Sequence, residues 1–163
     1  MWIEGFSGSG KSSIANKIKN KFENKFGKTI VLSGDNLREI FNLYGYKKKD
    51  RILNSYKFSN FIYFLIKNKI NVIYTVVGLN NKARKIYRSK LKNFYVTLID
   101  SNVKKIIKLG RKKTYLKKKN ILGIDIEPEY PKKPDFVIKN DMKQKLNKLA
   151  TNYINEIIDK LYK

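Results

Sequence analysis

The stretch Gly5-Phe6-Ser7-Gly8-Ser9-Gly10-Lys11-Ser12 is the feature that most limits what this chain can fold into. It fits the pattern G-x-x-x-x-G-K-[ST], in which glycines let a loop turn its backbone N–H groups inward toward a phosphate. The apolar stub Trp2–Glu4 precedes the loop, and apolar residues at a four-residue spacing follow it. This context places the loop between a strand and the N-terminus of a helix, where unpaired amides attract anions. An ordinary Gly-Ser turn would not need that context, so the pattern predicts a nucleoside triphosphate site.

The chemistry of this phosphate-binding loop assigns roles to its residues. In such a loop the lysine, here Lys11, reaches the β- and γ-phosphates, and the hydroxyl of Ser12 ligates Mg²⁺. The chain has no cysteine and no histidine, which removes thiolate and imidazole ligands and the most common general base. A metal must therefore be held by oxygen, which favours Mg²⁺ over Zn²⁺. The residues predicted to bind ATP are Gly8, Ser9, Gly10, Lys11, Ser12 and Ser13.

Strand and helix patterns alternate along the whole chain. Apolar or β-branched runs predict strands over 2–4, 29–32, 71–77, 94–99 and 136–138. Helical spacing predicts helices from Ser12 to Gly27, near 37–42, and over 54–67, 82–91 and 102–109. A C-terminal helix is predicted with Leu146, Leu149, Tyr153, Ile157 and Leu161 on one face. This alternation predicts one α/β domain over 1–163, with a mostly parallel five-stranded sheet and helices on both faces.

The segment 110–134 breaks this alternation. It is basic and turn-rich and holds all three prolines of the chain. We therefore expect a solvated basic lid there rather than a further strand or helix.

The net charge of +24 raises the possibility of a nucleic-acid partner. However, 32 of the 37 basic residues are lysine and only five are arginine, whereas sequence-reading proteins favour the bidentate fork of arginine. Lysine, asparagine and isoleucine all have codons built only of A and T, so an AT-rich genome would push the composition in this direction. We interpret the charge as coding bias combined with small anionic substrates, with a nucleic-acid surface as the less favoured alternative. No apolar run approaches the ~20 residues that cross a bilayer, and we expect a cytoplasmic protein without a membrane partner.

Beyond the loop, four motifs in order resemble the adenylylsulfate (APS) kinase family, small kinases that move the γ-phosphate of ATP to the 3′-hydroxyl of adenylylsulfate. The resemblance runs from Trp2 to Ile138. The opening Trp2–Ser12 resembles that family's W-x-x-G-L-S-G-S-G-K-S/T, and Gly34–Arg38 resembles its D-G-D-N-x-R. Gly45-Tyr46 with Asp50–Asn54 resembles G-F-S-x-x-D-R-x-x-N, and Gly123–Asp125 with Pro131–Asp135 resembles G-I-D…P-x-x-P-E/D.

The resemblance implies the roles of further residues. Asp35 would lie beside the Mg²⁺ and the γ-phosphate as a metal ligand, and would be catalytic together with Lys11. The residues implied in acceptor binding are Arg38, Arg51 and Asn54 for the nucleotide and its charged group, Tyr46 for stacking on the base, Lys112 for phosphate contact as the lid closes, and Ile121 in the place of a second stacking phenylalanine. Taken singly, Asp35-Asn36 is also typical of a helix cap, Asp50-Arg51 of a surface ion pair, and Tyr46 of a half-buried surface aromatic.

The departures from the family pattern lie on the acceptor side. Ser33 stands where the family has the aspartate favoured as general base, and Tyr56-Lys57 replace paired arginines. Because specificity resides in the acceptor pocket, we expect an acceptor other than adenylylsulfate. One branch of similar enzymes phosphorylates cytidine diphosphoramidate in bacterial capsule modification, and a pyrimidine nucleotide suits one aromatic and one aliphatic wall. Adenylylsulfate is the alternative acceptor. A nucleic-acid-binding ATPase or polynucleotide kinase and a degenerate kinase retained as an interaction protein are rivals of other classes, and a homodimer is possible.

Overall fold

Five strands form one parallel sheet in the order β2-β3-β1-β4-β5, with six α-helices around it among the described residues. The structure is a computed structural model that describes residues 1–110, 113–116 and 119–162, with the backbone alone at 113 and 114. The strands are β1 (Trp2–Glu4), β2 (Thr29–Ser33), β3 (Asn71–Val76), β4 (Val96–Asp100) and β5 (Phe136–Lys139). The helices are α1 (Lys11–Phe26), α2 (Gly34–Ile40), α3 (Lys48–Lys67), α4 (Asn81–Lys90), α5 (Val103–Lys108) and α6 (Leu146–Leu161), and a 3₁₀ turn spans Lys113–Leu116. The predicted single-domain α/β fold is confirmed.

Both faces of the sheet are buried, as a parallel sheet requires. In β1 the side chain of Ile3 joins a core with α1 and α6, whereas its neighbour Trp2 joins a second core with α3 and α4. The predicted face of the C-terminal helix packs in the first core, where Leu149, Tyr153 and Ile157 are buried. The alternation of side chains along each strand thus divides the apolar residues between two helical layers.

Two helices begin earlier than their apolar spacing predicts, and in both cases a capping interaction explains the difference. Helix α2 begins at Gly34 rather than near Leu37, because the Ser33 side chain accepts a hydrogen bond from the backbone N–H of Asn36. Helix α3 begins at Lys48 rather than at Asn54, because the Asp50 carboxylate accepts a hydrogen bond from the N–H of Lys47. Both extensions bring polar side chains of the first helical turn to the same end of the sheet.

The segment 110–134 is less solvated than the sequence predicts. Ile121 and Leu122 are buried, and Leu122 packs in a third small core with Phe6 and Ile106. The prediction of a solvated segment is therefore wrong for this part, because a tight turn over residues 121–126 presses its apolar side chains onto the phosphate-binding loop. Within the part of the chain that the structure describes, no helix has the length and apolar character needed to cross a membrane.

Candidate active site

A cleft of about 890 Å³ opens at the carboxyl ends of β1, β2 and β3. Ligands of open parallel sheets bind at this edge, where the loops after the strands converge. The phosphate-binding loop follows β1, α2 follows β2, and Thr75–Val77 lie at the end of β3. The predicted site residues that line this cleft are Gly8, Gly10, Lys11, Ser12, Ser13, Asp35, Arg38, Tyr46, Arg51 and Ile121.

The phosphate-binding loop has the backbone that its glycines predict. Gly8 and Gly10 have φ values of 79° and 92°, in the left-handed region that side chains disfavour, and Gly10 is the N-cap of α1. The Lys11 ammonium donates a hydrogen bond to the Phe6 carbonyl at 2.6 Å and lies 3.5 Å from the Ser9 hydroxyl. Lys11 is thus curled back over its own loop, with its charge held at the mouth of the anion site.

Ser9 does not line the cleft but lies fully buried beneath the loop. Its carbonyl accepts a hydrogen bond from the side-chain amide of Asn140 at 2.9 Å. Asn140 follows β5 and is itself buried, so it fastens the end of the last strand to the phosphate-binding loop. Sequence reasoning missed Asn140, because a lone asparagine after a strand carries no motif.

The 3₁₀ turn, in the segment predicted to be a lid, contacts the same loop through Tyr115. The Tyr115 hydroxyl donates a hydrogen bond to the Ser7 carbonyl at 2.8 Å. Burial raises the pKa of Tyr115 to about 12, still further above neutral pH than the ordinary value of a tyrosine. Lys112, predicted to contact phosphate, lies outside the described residues.

Ser33 and Asp35, at the start of α2, have different surroundings: the Ser33 side chain caps the helix, and the Asp35 carboxylate is exposed. The Ser33 hydroxyl accepts from the Asn36 N–H at 3.0 Å and donates to the Asn36 Oδ1 at 2.6 Å, and the Ser33 N–H donates to the same Oδ1 at 3.1 Å. Ser33 rather than Asp35 is therefore the helix cap. The Asp35 side chain is 86% exposed and lines the cleft, with its carboxylate 3.7 Å from a guanidinium nitrogen of Arg38. Asp35 is therefore not used as a helix cap, and its carboxylate faces the cleft.

Two guanidinium groups and one aromatic ring meet on the other side of the cleft. The guanidinium carbons of Arg38 and Arg51 lie 4.9 Å and 5.9 Å from the centre of the Tyr46 ring. Arg51 also donates to the Tyr46 carbonyl at 2.9 Å and to the Asn120 carbonyl at 3.1 Å. Burial, together with the neighbouring Arg38 charge, lowers the pKa of Arg51 from its ordinary value. The alternative of an Asp50–Arg51 ion pair is not what the structure has, because Arg51 is bound to two backbone carbonyls instead.

The oxygen donors at this edge fit Mg²⁺. The exposed Ser12 hydroxyl lies 3.4 Å from the Thr75 hydroxyl, and the Asp35 carboxylate lines the same cleft. Among the residues that the structure describes, no three acidic side chains gather into a dedicated metal cage. Mg²⁺ in phosphoryl-transfer sites takes one or two protein oxygens and completes its coordination with phosphates and water, which suits this sparse set.

Asn54, which the resemblance implies in acceptor binding, is buried in α3. Its side chain is 3% exposed and does not line the cleft, although it lies one turn of α3 beyond Arg51. Its amide nitrogen has no hydrogen-bond partner among the described residues. Arg51, near the start of α3, therefore reaches the cleft, whereas Asn54 is buried one turn further along the helix.

The Gly-Ile-Asp motif forms a turn that supports the phosphate-binding loop from behind. The Asp125 carboxylate accepts a hydrogen bond from the N–H of Ile121 at 3.1 Å and closes the turn. Gly123 has a φ of 87°, and a Cβ there would come within 2.5 Å of the Phe6 ring. This close approach explains the glycine of the motif.

We expect Gly123→Ala to lower the free energy of unfolding by about 2–4 kcal/mol, because the methyl group adds a clash with Phe6 to the strain of a left-handed backbone. Gly110→Ala is the matched control, since Gly110 has a φ of 60° and open space around its missing Cβ. Its expected cost is about 1–2 kcal/mol. Urea unfolding of both variants measures the difference, and equal costs would contradict the contact with Phe6.

A buried ion pair that sequence reasoning missed lies directly before the loop. Glu4 is fully buried at the end of β1, and both of its carboxylate oxygens accept hydrogen bonds from Arg84 of α4, at 2.7 Å and 2.9 Å. The Trp2 indole donates to the same carboxylate at 2.9 Å. Arg84 in turn donates to the Glu129 carbonyl, so α4, the end of β1 and the segment after the Gly-Ile-Asp turn are joined through Arg84. A glutamate inside an otherwise apolar strand was the signal that could have indicated such a partner.

Comparisons with known proteins agree on one family. The family profile described as adenylylsulphate kinase matches residues 1–139. Cytidine diphosphoramidate kinase of Campylobacter jejuni is 33% identical over 162 residues, covering 96% of this chain and 95% of the relative. Adenylyl-sulfate kinase of Clostridium acetobutylicum is 32% identical over 149 residues, covering 85% and 73%. The solved structure of the Mycobacterium tuberculosis APS kinase in complex with AMPPNP and APS has a TM-score of 0.84 at 25% identity, covering 96% of this chain and 95% of that one.

Proposed function

We propose that this chain, which belongs to the adenylylsulphate kinase family, transfers the γ-phosphate of ATP to the ribose 3′-hydroxyl of a small anionic nucleotide. The proposed acceptor is cytidine diphosphoramidate. The observation that carries the choice of acceptor is the 33% identity to a cytidine diphosphoramidate kinase over nearly the full length of both chains. The departures of this sequence from the family pattern on the acceptor side support the same choice, because acceptor specificity depends on that pocket.

On the donor side, the loop after β1 would hold the phosphates of ATP. Backbone N–H groups of the loop and of the α1 N-terminus would donate hydrogen bonds to the phosphates, and Lys11 would add a full positive charge. Ser12 and Asp35 would hold Mg²⁺, which when bound supplies positive charge to the transferring phosphoryl group. Phosphoryl transfer depends mainly on such positioning and charge neutralisation rather than on covalent chemistry by the protein.

On the acceptor side, Arg38 and Arg51 would bind the negative groups of the nucleotide, since guanidinium groups match phosphate oxygens in geometry and charge. The Ser33 hydroxyl is engaged in capping α2 and is not a base at neutral pH, so it does not replace the aspartate of the family pattern. We propose Asp35, exposed in the cleft, as the group that accepts the proton of the 3′-hydroxyl. A loose transition state demands little early removal of that proton, so a weak carboxylate base is enough.

Adenylylsulfate is the second candidate acceptor, because adenylyl-sulfate kinases are also relatives of this chain and the similar M. tuberculosis structure holds APS. A polynucleotide kinase is the rival that the net charge of +24 suggests. A role in capsule biosynthesis, a cytoplasmic location and a homodimer stay predictions.

The test is to incubate the protein with Mg·ATP and each of four acceptors: cytidine diphosphoramidate, CDP, adenylylsulfate and a short DNA with a free 5′-hydroxyl. ³¹P NMR follows ADP release and the new phosphate monoester, and a sample without acceptor measures ATP hydrolysis. We expect kcat/KM for cytidine diphosphoramidate to exceed that for adenylylsulfate at least about tenfold, equivalent to about 1.4 kcal/mol of discrimination. A higher kcat/KM for adenylylsulfate would replace the proposed acceptor, and no transfer to any nucleotide would overturn the kinase proposal itself.

A further inference from the structure

The hydroxyl of Thr75, at the carboxyl end of β3, lies beside the phosphate-binding loop. In the register of the sheet Thr75 is opposite Ile3 of β1 and Ser33 of β2, so it stands where the three strands end together. It lies on the same face of β3 as Ile73, which packs in the core with α1. Thr75 is 2% exposed, yet it lines the cleft. It is therefore placed to interact with the first turn of α1.

Two contacts set the direction in which the hydroxyl protons point. The Thr75 hydroxyl donates to the backbone carbonyl of Leu32 at 3.4 Å and lies 3.4 Å from the Ser12 hydroxyl. A hydroxyl carries one proton, and a carbonyl can only accept. With the Thr75 proton directed to Leu32, only Ser12 can be the donor in the contact between the two hydroxyls. The lone pairs of the Ser12 oxygen are then left for the cleft.

This order of protons suits a metal ligand. A hydroxyl coordinates Mg²⁺ through a lone pair, so its proton must be donated to another group. In many enzymes with this kind of loop, an aspartate joins the loop serine at the metal. Strand β3 carries no acidic residue, and the acidic residue of β1, Glu4, is bound to Arg84. Thr75 is thus the polar group that the end of β3 offers to Ser12.

We propose that Thr75 is a positioning residue for the metal site: its hydroxyl accepts the Ser12 proton and so directs a lone pair of Ser12 to the Mg²⁺ that accompanies ATP. The inference rests on the proposed function, since it assumes Mg·ATP on the phosphate-binding loop. Replacing a group that orients a metal ligand from behind typically changes metal affinity about 10- to 100-fold. Because Thr75 acts on the metal through Ser12, it should affect nucleotide binding when Mg²⁺ is present and not when it is removed.

The test measures binding of the non-hydrolysable ATP analogue AMPPNP by calorimetry, once with excess Mg²⁺ and once with EDTA. For Thr75→Val, which replaces the hydroxyl with a methyl group, we expect Kd with Mg²⁺ to rise about 10- to 100-fold and Kd in EDTA to stay within about twofold of the wild type. Thr75→Ala, which removes the hydroxyl without adding a methyl group, should show the same pattern. Thr75→Ser keeps the hydroxyl and should match the wild type in both conditions.

Thr29→Val is the matched control. Thr29 is also a buried strand threonine whose hydroxyl donates to a backbone carbonyl, that of Gly27 at 2.6 Å, but it lies at the opposite end of β2 from the cleft. Its replacement should leave both Kd values unchanged. In a Ser12→Ala background, Thr75→Val should cause no further rise in Kd with Mg²⁺, because Thr75 acts through the Ser12 oxygen.

The pattern across the two conditions decides the inference. Equal rises in both Kd values for Thr75→Val, no rise in either, or a further rise in the Ser12→Ala background would overturn it while the kinase proposal stands. A loss in Thr75→Ser or Thr29→Val as large as that in Thr75→Val would also overturn it, because the effect would then not depend on this hydroxyl. Wild-type protein that binds AMPPNP in neither condition would overturn the proposed function and this inference together.

Discussion

Lys11→Ala is expected to lower kcat/KM for phosphoryl transfer by at least about 10³-fold, because the variant loses the positive charge aimed at the β- and γ-phosphates. Lys11 is buried in its own loop, and its ammonium already points across the loop to the Phe6 carbonyl. A charge held in a sheltered site interacts more strongly with developing negative charge than one in open water. The loss should therefore appear mainly in kcat, with a smaller rise in KM for ATP.

The matched control for this prediction is Lys17→Ala, which removes an exposed lysine from the same helix and lowers the net charge equally. We expect kcat/KM of the control to stay within about twofold of the wild type, because a surface charge far from the phosphates is screened by salt. Transfer assays with Mg·ATP and cytidine diphosphoramidate measure both variants. If Lys11→Ala kept more than a tenth of the wild-type kcat/KM, the loop would not be acting as the phosphate site.

The parts of the fold that local patterns determine could be predicted from the sequence. Strand and helix alternation predicts the parallel sheet, and Gly8, Gly10 and Lys11 identify the loop, because each feature depends on neighbours within a few residues. The start of α3 was missed because the capping interaction of Asp50 with Lys47 extends the helix beyond its apolar spacing. Helix ends depend on such single hydrogen bonds, which hydrophobic periodicity does not detect.

The rest of the site depends on contacts between distant residues. The motifs indicated Arg38, Tyr46 and Arg51 as acceptor residues, but only the folded chain brings both guanidinium groups to one ring. Asn54 belongs to the same motif, yet its side chain, one turn further along α3, is buried and does not line the cleft. A motif therefore identifies the segment that borders a site, while the position of each residue along the helix decides how near the cleft its side chain lies.

The buried pair of Glu4 and Arg84 is the clearest case of a contact beyond the reach of sequence reasoning, because 80 positions separate the two residues.

Breaking the ion pair between Glu4 and Arg84 gives the largest loss of stability that we expect. Arg84→Met leaves a fully buried carboxylate with the Trp2 indole but without its cation, and breaking one partner of a buried pair costs about 3–5 kcal/mol. For a domain of this size that loss lowers Tm by about 10 °C. Lys85→Met is the control, since it makes the same change at an exposed neighbour on α4 and should stay within about 0.5 kcal/mol of the wild type.

The double variant Glu4→Gln/Arg84→Met separates the cost of an unpaired charge from the cost of lost packing. Glutamine keeps the volume of Glu4 and can still accept from Trp2, but it carries no charge, so the double variant should unfold at a higher urea concentration than Arg84→Met alone. A coupling free energy of about 1–3 kcal/mol from the double-mutant cycle would show that the penalty comes from the stranded carboxylate. Additive costs would instead indicate that Arg84 stabilises the fold through its other hydrogen bonds, to the Asn81 side chain and the Glu129 carbonyl. Glu4 precedes Gly5, the first residue of the phosphate-binding loop, so Arg84→Met should also raise KM for ATP. Lys85→Met should leave KM for ATP unchanged.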